Sequence, residues 1–329
     1  MQSKFTNIVV VGQGAIGLLW YHHLSQARYH LNTEVTLLAS NHALLTQSNI
    51  TSAKYQFTPY QQEHGQYYPL IYSQPSHIKA ADIIILCLKS YNITEAVKEI
   101  VKNLSPHCIV ILAHNGLGTV DEVINLLPKE QRIVAMLITH GCMRNAPLII
   151  THTGLGQSDI GLLSGKLNVA QQEQLVHQLN HALPNVTFHE SILLKQWIKL
   201  AINCVINPIT AIHNINNGLV SSEQFSTQVN AILTEIIDVH EAEINKTDVC
   251  KTEGYKIKET ELILSDLQLL VYSVAQATSK NSSSMRCDVL AGKITEVDYI
   301  NGYIHRLGKK HNIATPENTR LWQQIKALT

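Results

Sequence analysis

The sequence predicts an α/β protein with two domains, a parallel-sheet domain over residues 1–190 and an all-helical domain over residues 191–329. Two observations predict the first domain: apolar runs that suit buried strands recur between helical stretches, and a glycine-rich segment directly follows the first run. The second domain is predicted by a change of apolar spacing to the helical period from Ser191 onward. At 329 residues, the chain is long enough to bury two cores.

The opening of the chain has the order strand, glycine loop and helix. Residues 7–11 form a Val-rich run, and three glycines follow it in the spacing Gly-x-Gly-x-x-Gly. The first glycine of such a unit permits a tight turn, the second lets a pyrophosphate approach the backbone, and the third lets the helix pack on the strand. We therefore expect a Rossmann-type dinucleotide site; the alternative is a tight turn in another α/β sheet. The expected cofactor-binding residues of this loop are Gly12, Gln13, Gly14, Ala15, Ile16 and Gly17.

The end of the second predicted strand bears on the choice of cofactor. Residues 34–39 form this strand, and Ser40 and Asn41 follow it. A cofactor with a free ribose 2′-OH usually calls for Asp or Glu at this point, and neither is present. Because Ser40 and Asn41 can donate hydrogen bonds to a 2′-phosphate, the sequence favours NADP over NAD.

Further apolar runs predict three more strands of the same sheet. They are residues 81–88, 108–113 and 132–139. Lys89, Asn115 and His140 come after the ends of these runs, and ligands of a doubly wound sheet lie beyond the carboxyl ends of its strands. The three residues are therefore site candidates. The alternatives are a solvated strand end for Lys89 and turn chemistry for Asn115.

The rest of this domain carries weaker signals. A Gln- and Tyr-rich segment over residues 55–72 predicts a short excursion from the sheet. Alternating residues over 148–163 predict antiparallel edge strands. A helix over residues 171–183 and a last strand over residues 185–188 complete the domain.

Apolar spacing predicts five helices in the second domain. The last begins with Thr315 as N-cap and Pro316 at the first helical position, a common start signal. The polar segment 279–285 predicts a linker between two helices. The predicted helices span residues 191–206, 220–245, 255–279, 294–310 and 316–328.

The first of these helices carries a polar stripe. Residues 197–208 end with Pro208, and their only polar side chains are those of Lys199, Asn203 and Asn207. The spacing of four places the three polar side chains within about 80° of the helix surface. A helix that is apolar all round is normally buried, so we expect one wall of a dry site for a small, oxygen-rich molecule. The alternative is that the stripe satisfies polar groups of neighbouring helices.

A buried ammonium needs a partner because burial disfavours its charge. In a helix over residues 294–310, Glu296 shares a face with Ile300 and Tyr303, so it can point inward and partner Lys199. The alternative is a solvent-facing carboxylate in the first turn, where the helix dipole favours it.

The composition argues against several classes of protein. Lys plus Arg and Asp plus Glu number 25 each, and no basic stripe is present, so nucleic acid is not an expected partner. No apolar run reaches membrane-spanning length, and no signal peptide precedes the first strand. The six cysteines form no Cys-x-x-Cys pair, which predicts reduced thiols and a cytoplasmic location. The 17 histidines show no metal-ligand spacing, so no metal is expected.

Taken together, the motifs resemble those of the ketopantoate reductase (2-dehydropantoate 2-reductase) family over essentially the whole chain. Besides the glycine loop, the matching segments are Leu88-Lys89, His114-Asn115-Gly116, Trp197-x-Lys199-Leu-x-x-Asn203-x-x-x-Asn207-Pro208-x-Thr210-Ala211, Asn217-Gly218, Ser283-Ser284-Met285, Thr295-Glu296-x-Asp298-Tyr299-x-Asn301-Gly302 and Pro316-Glu317-Asn318. The resemblance implies a Rossmann domain followed by a helical domain of the 6-phosphogluconate-dehydrogenase-like type, with NADPH as cofactor.

The resemblance also implies roles for individual residues. Lys199 matches the general acid that hydrogen-bonds the ketone, and Glu296 matches a carboxylate that works beside this lysine and contacts the cofactor. Ser40 stands where members of the family often carry Arg or Lys. The implied substrate-binding residues are Asn203, Asn207, Asn217, Ser284 and Asn115, and the further cofactor-binding residues are Ser40, Lys89 and Asn115.

The implied reaction is hydride transfer from NADPH to the C2 ketone of 2-dehydropantoate, in a monomer or homodimer. Two alternatives are left open. The chain is a sibling reductase of another branched 2-keto acid or imine, or it is a non-catalytic NADP-binding regulatory module, since fold alone does not decide function.

Overall fold

A computed structural model describes residues 5–39, 52–248 and 262–329. Within them the chain forms two compact units. The first unit contains the described residues up to His114 and the segment Thr119–Ile192. The second contains Asn115–Gly118 and the described residues of Leu193–Thr329.

The strands of the first unit form two sheets. In chain order they are β1 (Asn7–Val11), β2 (Glu34–Leu38), β3 (Ser52–Thr58), β4 (Gln66–Ile71), β5 (Ile83–Leu86), β6 (Ile109–Leu112), β7 (Arg132–Ile138), β8 (Gly141–Ala146), β9 (Ile149–Gly154), β10 (Ser158–Ser164) and β11 (Val186–Phe188). The larger sheet has the order β11-β10-β7-β6-β5-β1-β2. Its strands β2, β1, β5, β6 and β7 are parallel, whereas β10 runs antiparallel to β7. The order reverses between β1 and β5, which is where such sheets bind their ligands.

The predicted excursion over residues 55–72 is confirmed: β3 and β4 pair with each other outside the main sheet. They belong to a second, four-stranded sheet of order β4-β3-β9-β8. The prediction of antiparallel strands over residues 148–163 is confirmed, because β9 runs antiparallel to β8 and β10 antiparallel to β7, but their predicted edge position was wrong. Strand β9 lies between β3 and β8, and β10 lies between β7 and β11. Alternation of polar and apolar residues predicts a strand with one buried face, but it does not indicate which strands pair with it on either side.

Helices cover both faces of the main sheet. They are α1 (Ala15–Leu31), α2 (Pro75–Ala80), α3 (Ser90–Ile100), α4 (Thr119–Val123) and α5 (Val169–Ala182). Along β1, Ile8 and Val10 share a core with α1 and α5, whereas Val9 and Val11 share one with α3. This two-sided burial explains why the parallel strands are continuous apolar runs. The helix predicted over residues 171–183 is α5, which begins two residues earlier because the Asn168 side chain accepts the Gln171 N–H.

The second unit is helical. Its helices are α6 (Leu193–His213), α7 (Glu223–Asp248), α8 (Leu264–Ala277), α9 (Ser284–Leu290), α10 (Asn301–His311) and α11 (Pro316–Leu328), with 3₁₀ turns at Asn217–Ser221 and Val297–Tyr299. Helix α6 contributes most of its apolar residues to the core of this unit. No helix of the described residues is both long enough and apolar enough to cross a membrane.

Several predicted boundaries in this unit were wrong. The helix predicted over residues 191–206 continues through Pro208 to His213. The helix predicted over residues 294–310 begins only at Asn301, because a 3₁₀ turn occupies Val297–Tyr299. The linker predicted over residues 279–285 ends earlier than expected, because α9 begins at Ser284 with Ser283 as its N-cap. Of the helix predicted over 255–279, residues 255–261 lie outside the described residues and the remainder contains α8.

Candidate active site

The glycine loop joins β1 to α1 at the switch point of the main sheet. The Gly12 N–H donates to the Leu38 carbonyl oxygen at 2.9 Å, which ties the loop to the end of β2. Gly12 has a φ of +111°, and a Cβ at this position would lie 2.5 Å from the Cys87 carbonyl oxygen. A Cβ on Gly17 would overlap the Gly12 carbonyl oxygen. Both positions therefore require glycine for packing of the protein itself.

Gly14 differs from its two neighbours in the motif. It is the N-cap of α1, its φ of −72° suits any residue, and a Cβ there would have no protein neighbour closer than the Cys87 carbonyl oxygen at 4.0 Å. The open space at Gly14 therefore fits a group that approaches the backbone. Ala15, Ile16 and Gly17 form the first turn of α1, whose N–H groups have no helical partner and suit a phosphate. Gln13, like Ala15 and Ile16, is partly buried.

Lys89 lies at the same edge of the sheet as the glycine loop. Strands β1 and β5 are paired with Val11 opposite Leu86, and Lys89 follows β5 as the N-cap of α3. Its side chain is partly buried. Ser40, the other residue predicted to contact the cofactor, lies outside the described residues.

His140 belongs to a group of four histidines in the first unit, with His22, His23 and His152. The rings of His23 and His140 lie 5.9 and 5.6 Å from the ring of His152. Burial lowers the pKa of His22 to about 3 and the pKa values of His23 and His140 to about 4, with neighbouring histidines adding to the effect. The Nδ1 atom of His140 accepts the Gly156 N–H at 3.2 Å, a contact that supports a structural role.

The polar stripe lies on α6 as predicted, but it is not uniformly dry. Asn207 is buried, whereas Lys199 and Asn203 are partly buried. The neighbouring Leu200 and Cys204 are buried in the core. The expectation of a fully buried lysine was therefore wrong. The Nδ2 atom of Asn203 is buried and has no hydrogen-bond partner among the described residues, so it is a donor available to a ligand.

Glu296 is only 4% exposed, so the solvent-facing alternative was wrong. Its position was also predicted for the wrong reason, since it precedes the 3₁₀ turn and is not on a helical face. The Asn115 Nδ2 donates to the Glu296 Oε2 at 3.3 Å. These two predicted residues, 181 positions apart in the sequence, are therefore in contact.

Gly116 makes this contact possible. The Leu117 N–H donates to the Tyr299 carbonyl oxygen at 2.9 Å, and a Cβ at Gly116 would overlap that same oxygen. Gly116 also has a φ of +82°, which disfavours other residues. The turn chemistry noted at Asn115-Gly116 is thus real, and it brings the Asn115 side chain to Glu296.

Asn217 and Ser284 have different surroundings. Asn217 is buried; its Nδ2 donates to the Thr278 hydroxyl at 3.0 Å, while its Oδ1 has no partner among the described residues. Ser284 is exposed at the start of α9. The preceding Ser283 is buried, accepts the Arg286 N–H at 3.1 Å and shares a 2.7 Å hydrogen bond with the Thr210 hydroxyl. Ser283 is therefore structural, and Ser284 is the residue of this pair that can reach a ligand.

A shallow pocket of about 510 Å³ lies in the second unit. Among the described residues that line it, none was predicted to bind substrate, and Arg286 is the only one with a charged side chain. The Arg286 guanidinium donates to the side-chain oxygens of Asn214 and Asn216 at 2.9 and 2.6 Å. The lining residues are Asn214, Ile215, Asn216, Gly218, Leu219, Gln276, Ser279 and Arg286.

The cysteines of the described residues are free thiols, and Cys87 and Cys204 are buried as predicted. Burial raises the pKa of Cys87 to about 12. No group of His, Cys, Asp and Glu side chains within the described part of the chain has the arrangement of a metal site.

Family models match most of the sequence. Residues 8–165 match the model of ketopantoate reductase PanE/ApbA, and residues 191–329 match the model of its C-terminal domain. The chain belongs to this ketopantoate reductase family.

Curated members of the family cover almost the full chain. A 2-dehydropantoate 2-reductase from Vibrio cholerae is 34% identical over 322 residues, which are 98% of this chain and 97% of the relative. One from Yersinia pestis is 31% identical over 324 residues, covering 97% and 94%. In both comparisons the two chains are covered nearly end to end.

Solved structures establish the fold of this family member. A PanE/ApbA family ketopantoate reductase from Ralstonia eutropha has a TM-score of 0.77 at 22% identity, with 98% of each chain covered. D-mandelate dehydrogenase in complex with NADH and anilino(oxo)acetate has a TM-score of 0.80 at 22% identity, again with 98% of each chain covered. The architecture is therefore that of a Rossmann-like sheet unit with a helical unit, as predicted.

Several residues of the family motifs had no predicted role, among them two asparagines of the second unit. Asn301 and Asn318 are completely buried, and the Asn301 Nδ2 donates to the Asn318 Oδ1 at 3.0 Å. The only signal for them was their occurrence in the segments Asn301-Gly302 and Pro316-Glu317-Asn318.

Proposed function

We propose that this family member is an NADPH-dependent 2-dehydropantoate 2-reductase. The observation that carries the proposal is the buried Glu296 carboxylate held by Asn115, in the same unit as the stripe of Lys199, Asn203 and Asn207. An unpartnered amide donor on that stripe suits a ligand with several oxygen atoms. The names of the curated relatives support this substrate over other 2-keto acids.

When bound, NADPH supplies the hydride that reduces the C2 ketone. The glycine loop would hold its pyrophosphate, with Gly14 giving the phosphate access to the N–H groups of α1. Lys89 lies at the same edge of the sheet and would contact the cofactor. The absence of Asp or Glu after β2 supports NADPH over NADH.

Lys199 is the proposed general acid. It would stabilise the negative charge that develops on the ketone oxygen and then donate a proton to that oxygen. Asn203 and Asn207 would orient the substrate from the same helix. Asn217, Ser284 and Asn115 are the further proposed substrate contacts, and Glu296 is the proposed partner of the lysine and the cofactor.

The test is a kinetic comparison of two lysine variants with NADPH and 2-dehydropantoate. We expect Lys199→Ala to lower kcat by about 10²–10⁴-fold, the range for a lost general acid. Lys309→Ala, on the exposed side of α10, is the matched control and should leave kcat unchanged. Turnover of Lys199→Ala close to that of the native chain would overturn the assignment.

A sibling reductase is the second candidate, because D-mandelate dehydrogenase has the same fold. A panel of branched 2-keto acids and imines separates the two: the proposal expects the highest kcat/KM for 2-dehydropantoate. Binding of NADPH without turnover of any of them would instead support a regulatory module. We further propose a cytoplasmic protein that is a monomer or a homodimer; a Staphylococcus aureus ketopantoate reductase of the same fold (TM-score 0.74, 18% identity) is described as dimeric.

A further inference from the structure

A proline interrupts the helix that carries the polar stripe. Pro208 lies inside α6, directly after Asn207. Because proline has no N–H, the carbonyl oxygen of Cys204, four residues earlier, cannot receive its helical hydrogen bond. Cys204 is completely buried, and a buried carbonyl without a donor is costly. The stripe helix therefore needs a donor from elsewhere at this turn.

Asn301 supplies that donor. Its Nδ2 lies 3.0 Å from the Cys204 carbonyl oxygen and donates to it. Asn301 is the first residue of α10 and is completely buried, so its side chain has no solvent alternative. An asparagine 97 positions from Cys204 in the sequence thus replaces the missing N–H of Pro208.

Asn301 is held in place by a second buried amide. Its Nδ2 also reaches the Oδ1 of Asn318 at 3.0 Å, and the Nδ2 of Asn318 donates to the Glu235 Oε2 at 2.8 Å. Glu235 in turn accepts the N–H groups of Glu317 and Asn318 at 2.7 and 2.9 Å, at the start of α11. A continuous chain of hydrogen bonds therefore connects α7, α11 and α10 to the interrupted turn of α6.

We propose that Asn301 is a positioning residue that completes the backbone of α6 at Pro208. Lys199 and Asn203 precede Cys204, whereas Asn207 lies between Cys204 and Pro208, so the Asn301–Cys204 hydrogen bond holds the turn with Asn207 in place relative to the other two residues of the stripe. Its effect on turnover rests on the proposed function, whereas its effect on α6 does not.

A double-mutant cycle tests whether the Asn301 side chain takes the place of a backbone N–H at position 208 as the donor to the Cys204 carbonyl oxygen. Pro208→Ala restores an N–H that can donate to Cys204, so Asn301 should then be dispensable at this carbonyl. In the native background, Asn301→Ala should raise the opening equilibrium constant of α6 amides, measured by hydrogen exchange on the full chain, by about 5- to 150-fold. In the Pro208→Ala background, we expect Asn301→Ala to raise this opening equilibrium constant by a factor at least about fivefold smaller.

The cycle separates this role from ordinary packing. The cavity left at position 301 and the lost contact with Asn318 are common to both backgrounds, so they cancel. Val229→Ala, at a buried α7 position without a side-chain hydrogen-bonding group, should have the same effect in both backgrounds. Equal effects of Asn301→Ala in the two backgrounds would overturn the proposal. If Asn301→Ala does not fold, Asn301→Ser enters the same cycle under the same criteria.

Kinetics provide the functional readout. Asn301→Ala should lower kcat/KM for 2-dehydropantoate, and the double variant should recover most of the loss; no recovery would refute the positioning of the stripe. If even the native chain does not reduce this substrate, the proposed function fails while the exchange cycle still decides the role of Asn301.

Discussion

Gly14 and Gly17 should respond in opposite ways to the addition of one methyl group. Both belong to the glycine loop, and both have backbone angles outside the left-handed region. A Cβ at Gly17 would overlap the Gly12 carbonyl oxygen, whereas a Cβ at Gly14 has no protein atom closer than 4.0 Å. Gly17 is thus required by the fold, and Gly14 is open for a ligand.

The expected magnitudes follow from these distances. Gly14→Ala loses about 0.5 kcal/mol of N-cap preference and regains a similar amount by restricting the unfolded chain, so stability should change by less than about 0.5 kcal/mol. Its methyl group would stand where the pyrophosphate approaches, and we expect a Kd for NADPH that is about 10- to 100-fold higher. Gly17→Ala should cost about 1–3 kcal/mol through overpacking.

Thermal unfolding and NADPH titration of the two variants distinguish the effects. Gly17→Ala should lower Tm by about 2–4 °C for each kcal/mol lost, whereas Gly14→Ala should unfold with the native chain. The reasoning would be refuted if Gly14→Ala lost as much stability as Gly17→Ala, or if it bound NADPH with native affinity.

Two other predictions concern the buried histidines and the serine pair. Burial lowers the pKa values of His22 and His23 below 6.5. Between pH 6.5 and about 4 the unfolded chain therefore binds more protons at these two residues than the folded chain does. In this range each residue should lower the free energy of unfolding by about 1.4 kcal/mol for each pH unit that the pH falls. In urea unfolding at several pH values, His22→Phe should reduce the dependence of stability on pH, whereas the control His64→Gln, at an exposed position, should not. If both variants showed the same slope of stability against pH, the lowered pKa of His22 would be contradicted. Ser283→Ala should lose about 1 kcal/mol of stability because it removes the N-cap of α9, whereas Ser284→Ala should keep native stability and raise KM. The reverse pattern would contradict a capping role for Ser283 and a substrate-binding role for Ser284.

The strands of the main sheet could be predicted because parallel strands buried on both faces are continuous apolar runs. The contact of Asn115 with Glu296 could not, since nothing local connects residues 181 positions apart. Glu296 was expected on a helix, but a turn precedes α10, and apolar spacing does not distinguish a 3₁₀ turn from the start of a helix. The polar stripe was predicted from spacing alone, whereas the exposure of Lys199 depends on packing that the sequence does not encode locally.

The four residues Asn115–Gly118 belong to the helical unit although β6 and α4 of the sheet unit flank them in the sequence. Leu117 is part of the helical core, and its N–H pairs with the Tyr299 carbonyl oxygen. A chain cut at residue 190 would therefore leave the helical piece without the Asn115 donor that holds Glu296. The two halves of such a protein are not interchangeable modules: a chimera between two family members must take this loop from the same parent as the helices.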